Sequence, residues 1–64
     1  MNHYEVIKIL GTAEAMKLRL DHVIVDYWGV AVVLQFNDKR HESIVTFDTL
    51  EKAQKLQIGD VFMR

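Results

Sequence analysis

The chain has 64 residues, no cysteine and a formal net charge of −1. This excludes a disulfide scaffold, the usual zinc fingers and ribbons, and an overall positive field that would attract nucleic acid. Half of the residues are hydrophobic, and there are three glycines and no proline, so we expect one packed domain over residues 1–64. A domain of this size buries only about 60% of its unfolded surface, so an efficient core or self-association must stabilise it.

Two strands are predicted in the first third of the chain. Residues 4–10 are rich in β-branched side chains and end at Gly11. Next, Met16, Leu18 and Leu20 alternate with polar residues, a period of two that predicts a second strand over residues 15–20.

The central segment changes the phase of its alternation twice. Odd positions are apolar over residues 23–27, even positions are apolar from Val30 to Phe36, and even positions were also apolar in the preceding strand. A one-residue change of phase predicts a turn or bulge at residues 21–22 and a bulge or sharp bend near Trp28 and Gly29. The pattern leaves open whether residues 23–36 form one bent strand or two.

A hairpin is predicted to follow, with a polar loop of four residues, 37–40, and a return strand over residues 41–47. In that strand Val45 and Phe47 share one face, whereas Glu42, Ile44 and Thr46 share the other.

A short helix is predicted before a final strand. Asp48 and Glu51 have the spacing of a capping box, and Glu51 with Lys55 forms a favourable i,i+4 pair. The apolar side of this helix consists of Leu50, Ala53 and Leu56. We expect Gly59 to end it in the left-handed conformation, with Ile58 packed back on the helix and residues 60–63 as the last strand.

The predicted fold class is mostly β with one short helix. About five antiparallel strands, with the helix before the last of them, are compatible with a small barrel of SH3-like type. An open antiparallel sheet with the helix packed on one face is the alternative. Either architecture is compatible with many functions, so function has to be inferred from the residues themselves.

The sequence contains little that suggests catalysis. Ser43 is the only serine and lies within a predicted strand, with no flanking glycines of a nucleophile elbow. His22 and Asp26 would lie about 13 Å apart along a strand, too far to share a metal ion. We therefore predict no enzyme, no catalytic residue, no metal site and no cofactor.

The central segment is instead the predicted binding surface. Tyr27 and Trp28 are adjacent aromatics, and we expect one of them to be partly exposed. The following strand is apolar on both faces, since Ala31 and Val33 lie opposite its even-numbered side. Only one face of this strand can pack against the core. The apolar character of the second face therefore predicts a homodimer or a protein partner that binds at Tyr27, Trp28, Ala31 and Val33.

Nucleic acid is the alternative partner. Lys17 and Arg19 share a strand face, and Lys39 and Arg40 lie at a predicted loop, so the four cations could contact phosphates as small β-barrels do. The slightly negative net charge makes this the weaker hypothesis.

The expected compartment is the cytoplasm. The first residues lack the basic and apolar regions of a signal peptide, and the longest apolar run, residues 30–34, is far below the ~20 residues that span a bilayer. Small chains of this kind are often accessory or regulatory proteins, including those of phages and other mobile elements, so an accessory interaction module is the predicted function.

Overall fold

The computed structural model describes residues 2–63. Its elements are five strands and one helix, in the order β1 His3–Ile9, β2 Glu14–Leu20, β3 Val23–Phe36, β4 Lys39–Phe47, α1 Leu50–Gln54 and β5 Val61–Met63. All strand pairs are antiparallel. The predicted class, mostly β with one short helix before the last strand, is confirmed.

Strand β3 is the centre of the sheet. Its 14 residues pair with β4 along one edge, from Trp28 to Phe36. Along the other edge its first half pairs with β2 and its second half pairs with β1, which in turn pairs with β5. Within residues 2–63 the sheet stays open, so the barrel is not confirmed and the open-sheet alternative fits.

The core lies on one side of the second half of β3. Even-numbered residues Val30, Val32 and Leu34 are buried there, as the alternation predicted. Helix α1 covers this side, because it contacts β3 and β4 and buries Ala53. The rest of the buried cluster consists of Val6, Val45 and Leu56, with half-buried Tyr4, Ile9, Ala13, Trp28, Phe47 and Phe62 packed around it.

The bulge predicted near Trp28 and Gly29 is wrong. Pairing with β2 continues without a shift from Val23 to Gly29, and pairing with β4 continues without a shift from Trp28 onward. Residues 23–36 therefore form one strand. The change of phase in the sequence reflects a change in which side of the strand carries apolar residues, not an irregularity of the backbone.

Both hairpin turns contain two residues. The turn predicted at Asp21 and His22 is confirmed, with Leu20 paired to Val23 and Asp21 at a φ of 52°. The second turn is shorter than the predicted four-residue loop, because Phe36 pairs directly with Lys39.

The helix begins one residue later than the capping-box spacing predicted. Thr49 is the N-cap, and its hydroxyl accepts a hydrogen bond of 3.2 Å from the Lys52 backbone N–H. Asp48 instead forms an ion pair of 3.0 Å with the Lys52 ammonium group. The predicted pair of Glu51 and Lys55 is confirmed, at 3.3 Å.

The helix ends earlier than predicted, at Gln54 with Lys55 as the C-cap at a φ of −84°, so Gly59 lies beyond the helix and does not end it. Gly59 has the expected positive φ, 99°, and its N–H donates to the Val6 carbonyl oxygen at 2.8 Å. Ile58 does not pack back on the helix, since 65% of it is exposed. The predicted last strand is confirmed over residues 61–63, and it pairs with β1.

Candidate functional interface

The most prominent surface feature is a two-stranded hairpin formed by residues 14–27, which we call the hairpin arm. It comprises β2 and the first half of β3. Among the described elements, β2 contacts β3 alone, and helix α1 reaches only β3 and β4. The arm therefore extends from the packed body of the molecule without a second layer on either side.

One side of the arm is apolar except at its base, where Glu14 lies on the same side as Met16. Directly paired residues share a face of a sheet, so the pairs Leu20–Val23, Leu18–Val25 and Met16–Tyr27 place six side chains together. The same side continues onto the body through Gly29, Ala31, Val33 and Ile44, since Ile44 pairs with Ala31. We call the apolar residues of this side the outer face: Met16, Leu18, Leu20, Val23, Val25, Tyr27, Gly29, Ala31, Val33 and Ile44. Polar residues on the same side lie at the base of the arm and on the body, namely Glu14, Thr46, Glu42 and Lys8.

The outer face lies on the opposite side of the sheet from the core. Between 41% and 59% of each of Leu18, Leu20, Val23, Val25 and Ile44 is exposed, whereas Met16, Tyr27, Ala31 and Val33 are half-buried. Complete burial of a Val, Leu or Ile side chain is worth about 1.5–3 kcal/mol. Each of the five exposed side chains could therefore contribute about 1 kcal/mol more if a partner covered it.

The other side of the arm has ordinary surface chemistry. Lys17 lies opposite Asp26, and Arg19 lies opposite Ile24. An antiparallel sheet with one solvated face normally has its polar residues on that face. In the arm, the polar side is the one that continues into the core side of the body, and the apolar side is the one that no described residue covers.

The structure brings together three of the four predicted contact residues. Tyr27, Ala31 and Val33 lie on the outer face, spread over about 20 Å of β3 at 3.3 Å per residue. Trp28 lies on the opposite side, half-buried against the core between Ala15 and Phe47. Trp28 therefore supports the sheet beneath the outer face and is not part of that surface.

The four predicted phosphate-contacting cations are divided between the two ends of β3. Lys17 lies opposite Asp26, and Lys39 lies opposite Phe36, ten residues or about 33 Å further along the strand. Arg40 lies on the other side of the sheet from Lys39, and its Nε donates to the Gln35 side-chain oxygen at 3.2 Å. The arrangement therefore does not form one basic patch.

The described residues offer little for chemistry. Residues 2–63 contain no group of three His, Asp or Glu side chains that could hold a metal ion. A groove of about 290 Å³ between α1 and the β1–β2 connection has no titratable side chain in its lining, which consists of Ile9, Gly11, Thr12, Ala13, Val30, Leu50, Ala53, Gln54 and Leu56. A hydrogen bond from Lys52 holds the pKa of Asp48 below its ordinary value of 3.8, but Asp48 lies at the exposed start of the helix.

Sequence reasoning missed most of the outer face. The sequence predicted a strand position, but no surface role, for Leu18, Leu20, Val23 and Val25. The signal was present, because a two-residue turn at 21–22 pairs Leu20 with Val23 and so places the even-numbered apolar set of β2 beside the odd-numbered set of β3. Ile44 was assigned to the correct side of its strand, but not to a surface.

Comparison with known proteins gives no relative: no family model matches the sequence, and no curated protein or solved structure matches it either. In the part of the chain that the structure describes, no helix is long and apolar enough to cross a membrane.

Proposed function

We propose that this protein is a small non-enzymatic interaction module, which binds a protein partner or a second copy of itself through the outer face. The observation that supports this most directly is the uncovered apolar side of the hairpin arm, where Leu20 and Val23 are both more than half exposed. Soluble monomers rarely expose contiguous apolar surface on this scale unless it is functional. Tyr27 contributes an aromatic side chain near the middle of the face, the residue type enriched at binding hot spots.

Such a module acts by occupying a surface on its target, as accessory and regulatory proteins do. We propose that it works in the cytoplasm, since a chain without cysteine has no need of an oxidising compartment. The nucleic-acid alternative has less support, because its four cations lie at two distant ends of β3.

The test is a comparison of two charge substitutions at positions that are both more than half exposed, Leu20 at 54% and Ile58 at 65%. Leu20→Lys places a cation in the outer face, whereas Ile58→Lys places the same cation on a side chain that is 65% exposed elsewhere. We expect Leu20→Lys to weaken self-association, or retention of a protein partner, by about tenfold or more, which corresponds to about 1.4 kcal/mol. Ile58→Lys should bind like the native chain.

The proposal fails if the native chain neither self-associates nor retains any protein that Leu20→Lys loses. Retention of nucleic acid with an affinity that falls steeply as salt is raised would favour the alternative function.

A further inference from the structure

The free edge of the hairpin arm lies along residues 23–27 of β3. Strand β4 pairs with this edge only from Trp28 onward, where its last residue, Phe47, is the partner. Because the two-residue turn makes Phe36–Lys39 a hydrogen-bonded pair, even-numbered residues of β3 direct their N–H and C=O groups toward the β4 edge. By the same alternation, Ile24 and Asp26 direct theirs to the free edge, where no described residue pairs with them.

We infer that a second copy of this chain pairs with that edge, antiparallel and about a two-fold axis at Ile24. The inference rests on the proposed function and extends it, because the free edge adjoins the outer face and pairing would place two outer faces side by side. Strand addition of this kind supplies main-chain hydrogen bonds for affinity and side-chain rows for specificity.

The position of β4 selects the register. With the axis at Ile24, the turn of the second hairpin lies opposite residues 26–27 and stops before Phe47. With the axis at Val25, the same turn would lie opposite residues 28–29, where β4 already pairs. A two-fold axis at Ile24 is therefore the register that fits beside β4.

This register places compatible side chains in the rows formed by residues 22–26. Ile24 faces Ile24 of the second copy, and Val23 faces its Val25, which are pairs of β-branched residues. His22 comes beside Asp26 of the second copy, so a carboxylate meets a group that can donate a hydrogen bond or carry a positive charge. On the outer side, Leu18 and Val25 of one copy form a continuous row with Val23 and Leu20 of the second copy.

The other long edge of the arm is protected against the same pairing. A two-fold axis at Leu18 of β2 would set Lys17 against Arg19 of the second copy, and an axis at Lys17 would set two lysines against each other. Like charges directly opposite are destabilising, and lysines on edge strands commonly block unwanted association. The free edge of β3 has no lysine or arginine. Because the net charge is only −1, the electrostatic repulsion between two copies is small.

The expected dimer is reversible. The free edge is five residues long, about 17 Å, so the interface buries less than the ~800 Å² per partner of a standard stable complex. Pairing would also join two outer faces into one four-stranded apolar surface, which a further partner could cover.

A single-cysteine variant tests the axis directly, since the native chain has no cysteine. Two residues that form a hydrogen-bonded antiparallel pair have Cα atoms about 5.5 Å apart, within the range a disulfide spans. Ile24→Cys should therefore form a covalent dimer under mild oxidation, at protein concentrations where Ile58→Cys remains largely monomeric.

Ile24→Lys gives an independent measurement. Ile24 is 61% exposed, so the substitution should leave the circular dichroism spectrum and melting temperature close to those of the native chain. It sets two cations against each other at the axis, and light scattering should show a monomer at concentrations where the native chain and Ile58→Lys are dimers.

Three results would overturn the inference, and they differ in whether the proposed function still holds. A native chain that is monomeric at millimolar concentration excludes the dimer but not a different protein partner. A dimer that survives Ile24→Lys and dissociates with Leu20→Lys indicates stacking of outer faces, which keeps the proposed function. A monomer that also retains no protein through the outer face contradicts both proposals.

Discussion

Two adjacent polar residues at the start of α1, Asp48 and Thr49, make different contacts with Lys52. Thr49 accepts the backbone hydrogen bond from Lys52, and Asp48 binds the Lys52 side chain. The capping-box spacing identified Asp48 because Glu51 follows it by three residues, whereas the residue three after Thr49 is Lys52, although aspartate and threonine are both good N-caps. Only the backbone geometry, with Thr49 extended at φ −133° and ψ 153°, decides between them.

These two residues should differ in how their contribution depends on pH. Thr49→Ala removes a neutral cap and should lower the free energy of unfolding by about 1 kcal/mol throughout the pH range. Asp48→Asn should have a smaller effect, because the ion pair it removes is exposed to solvent.

The sign of the Asp48 effect follows from its lowered pKa. A carboxyl whose pKa is lower in the folded state stabilises the protein above its ordinary pKa, 3.8, and loses that contribution as the pH falls through the folded value. Urea titrations at neutral and acidic pH should therefore show the difference between native and Asp48→Asn shrinking in acid. A difference that grows in acid would contradict this assignment.

At the scale of the elements, the period-two alternation predicted the positions of the strands well, but it predicted poorly which face of each strand packs against the core. Residues 15–20 and 41–47 were placed within a few positions of β2 and β4, since alternation identifies a strand whatever covers it. A bulge was predicted at Gly29 on the assumption that apolar residues always face the core. Along β3 they face outward over residues 23–27 and inward from Val30 onward, so an unbroken strand gives the same pattern.

Core and outer leucines should respond differently to truncation. Leu34→Ala removes a fully buried side chain, and we expect it to lower the free energy of unfolding by about 2–5 kcal/mol, enough to unfold much of a domain this small. Leu20→Ala removes a side chain that is 54% exposed and should cost far less in dilute solution.

Thermal or chemical denaturation of the two variants measures this contrast. If Leu20→Ala proves as damaging as Leu34→Ala in a monomeric sample, the outer face is part of the folding core and cannot be a free binding surface. If Leu20→Ala lowers the free energy of unfolding only at concentrations where the native chain associates, the lost stability comes from the interface.

The whole molecule is elongated for its size. Its radius of gyration is 12.6 Å, whereas a compact domain of this length has about 11 Å, and its extents are 41 × 23 × 16 Å. The hairpin arm accounts for this shape, since it projects beyond the layer formed by α1 and the second half of β3. A chain of 64 residues that leaves so much apolar side chain outside its core has surface available for association.

Amide hydrogen exchange along the arm, at low and at high protein concentration, tests most directly whether the arm is an interaction surface. In dilute solution the amides of Ile24 and Asp26 should exchange rapidly, because they lie on the free edge, whereas that of Val25 is directed toward β2. In concentrated solution we predict that the Ile24 amide becomes protected as the second copy pairs with the edge. Exchange at Ile24 and along the outer face that is equally fast at every concentration, with or without added cell extract, would contradict the account.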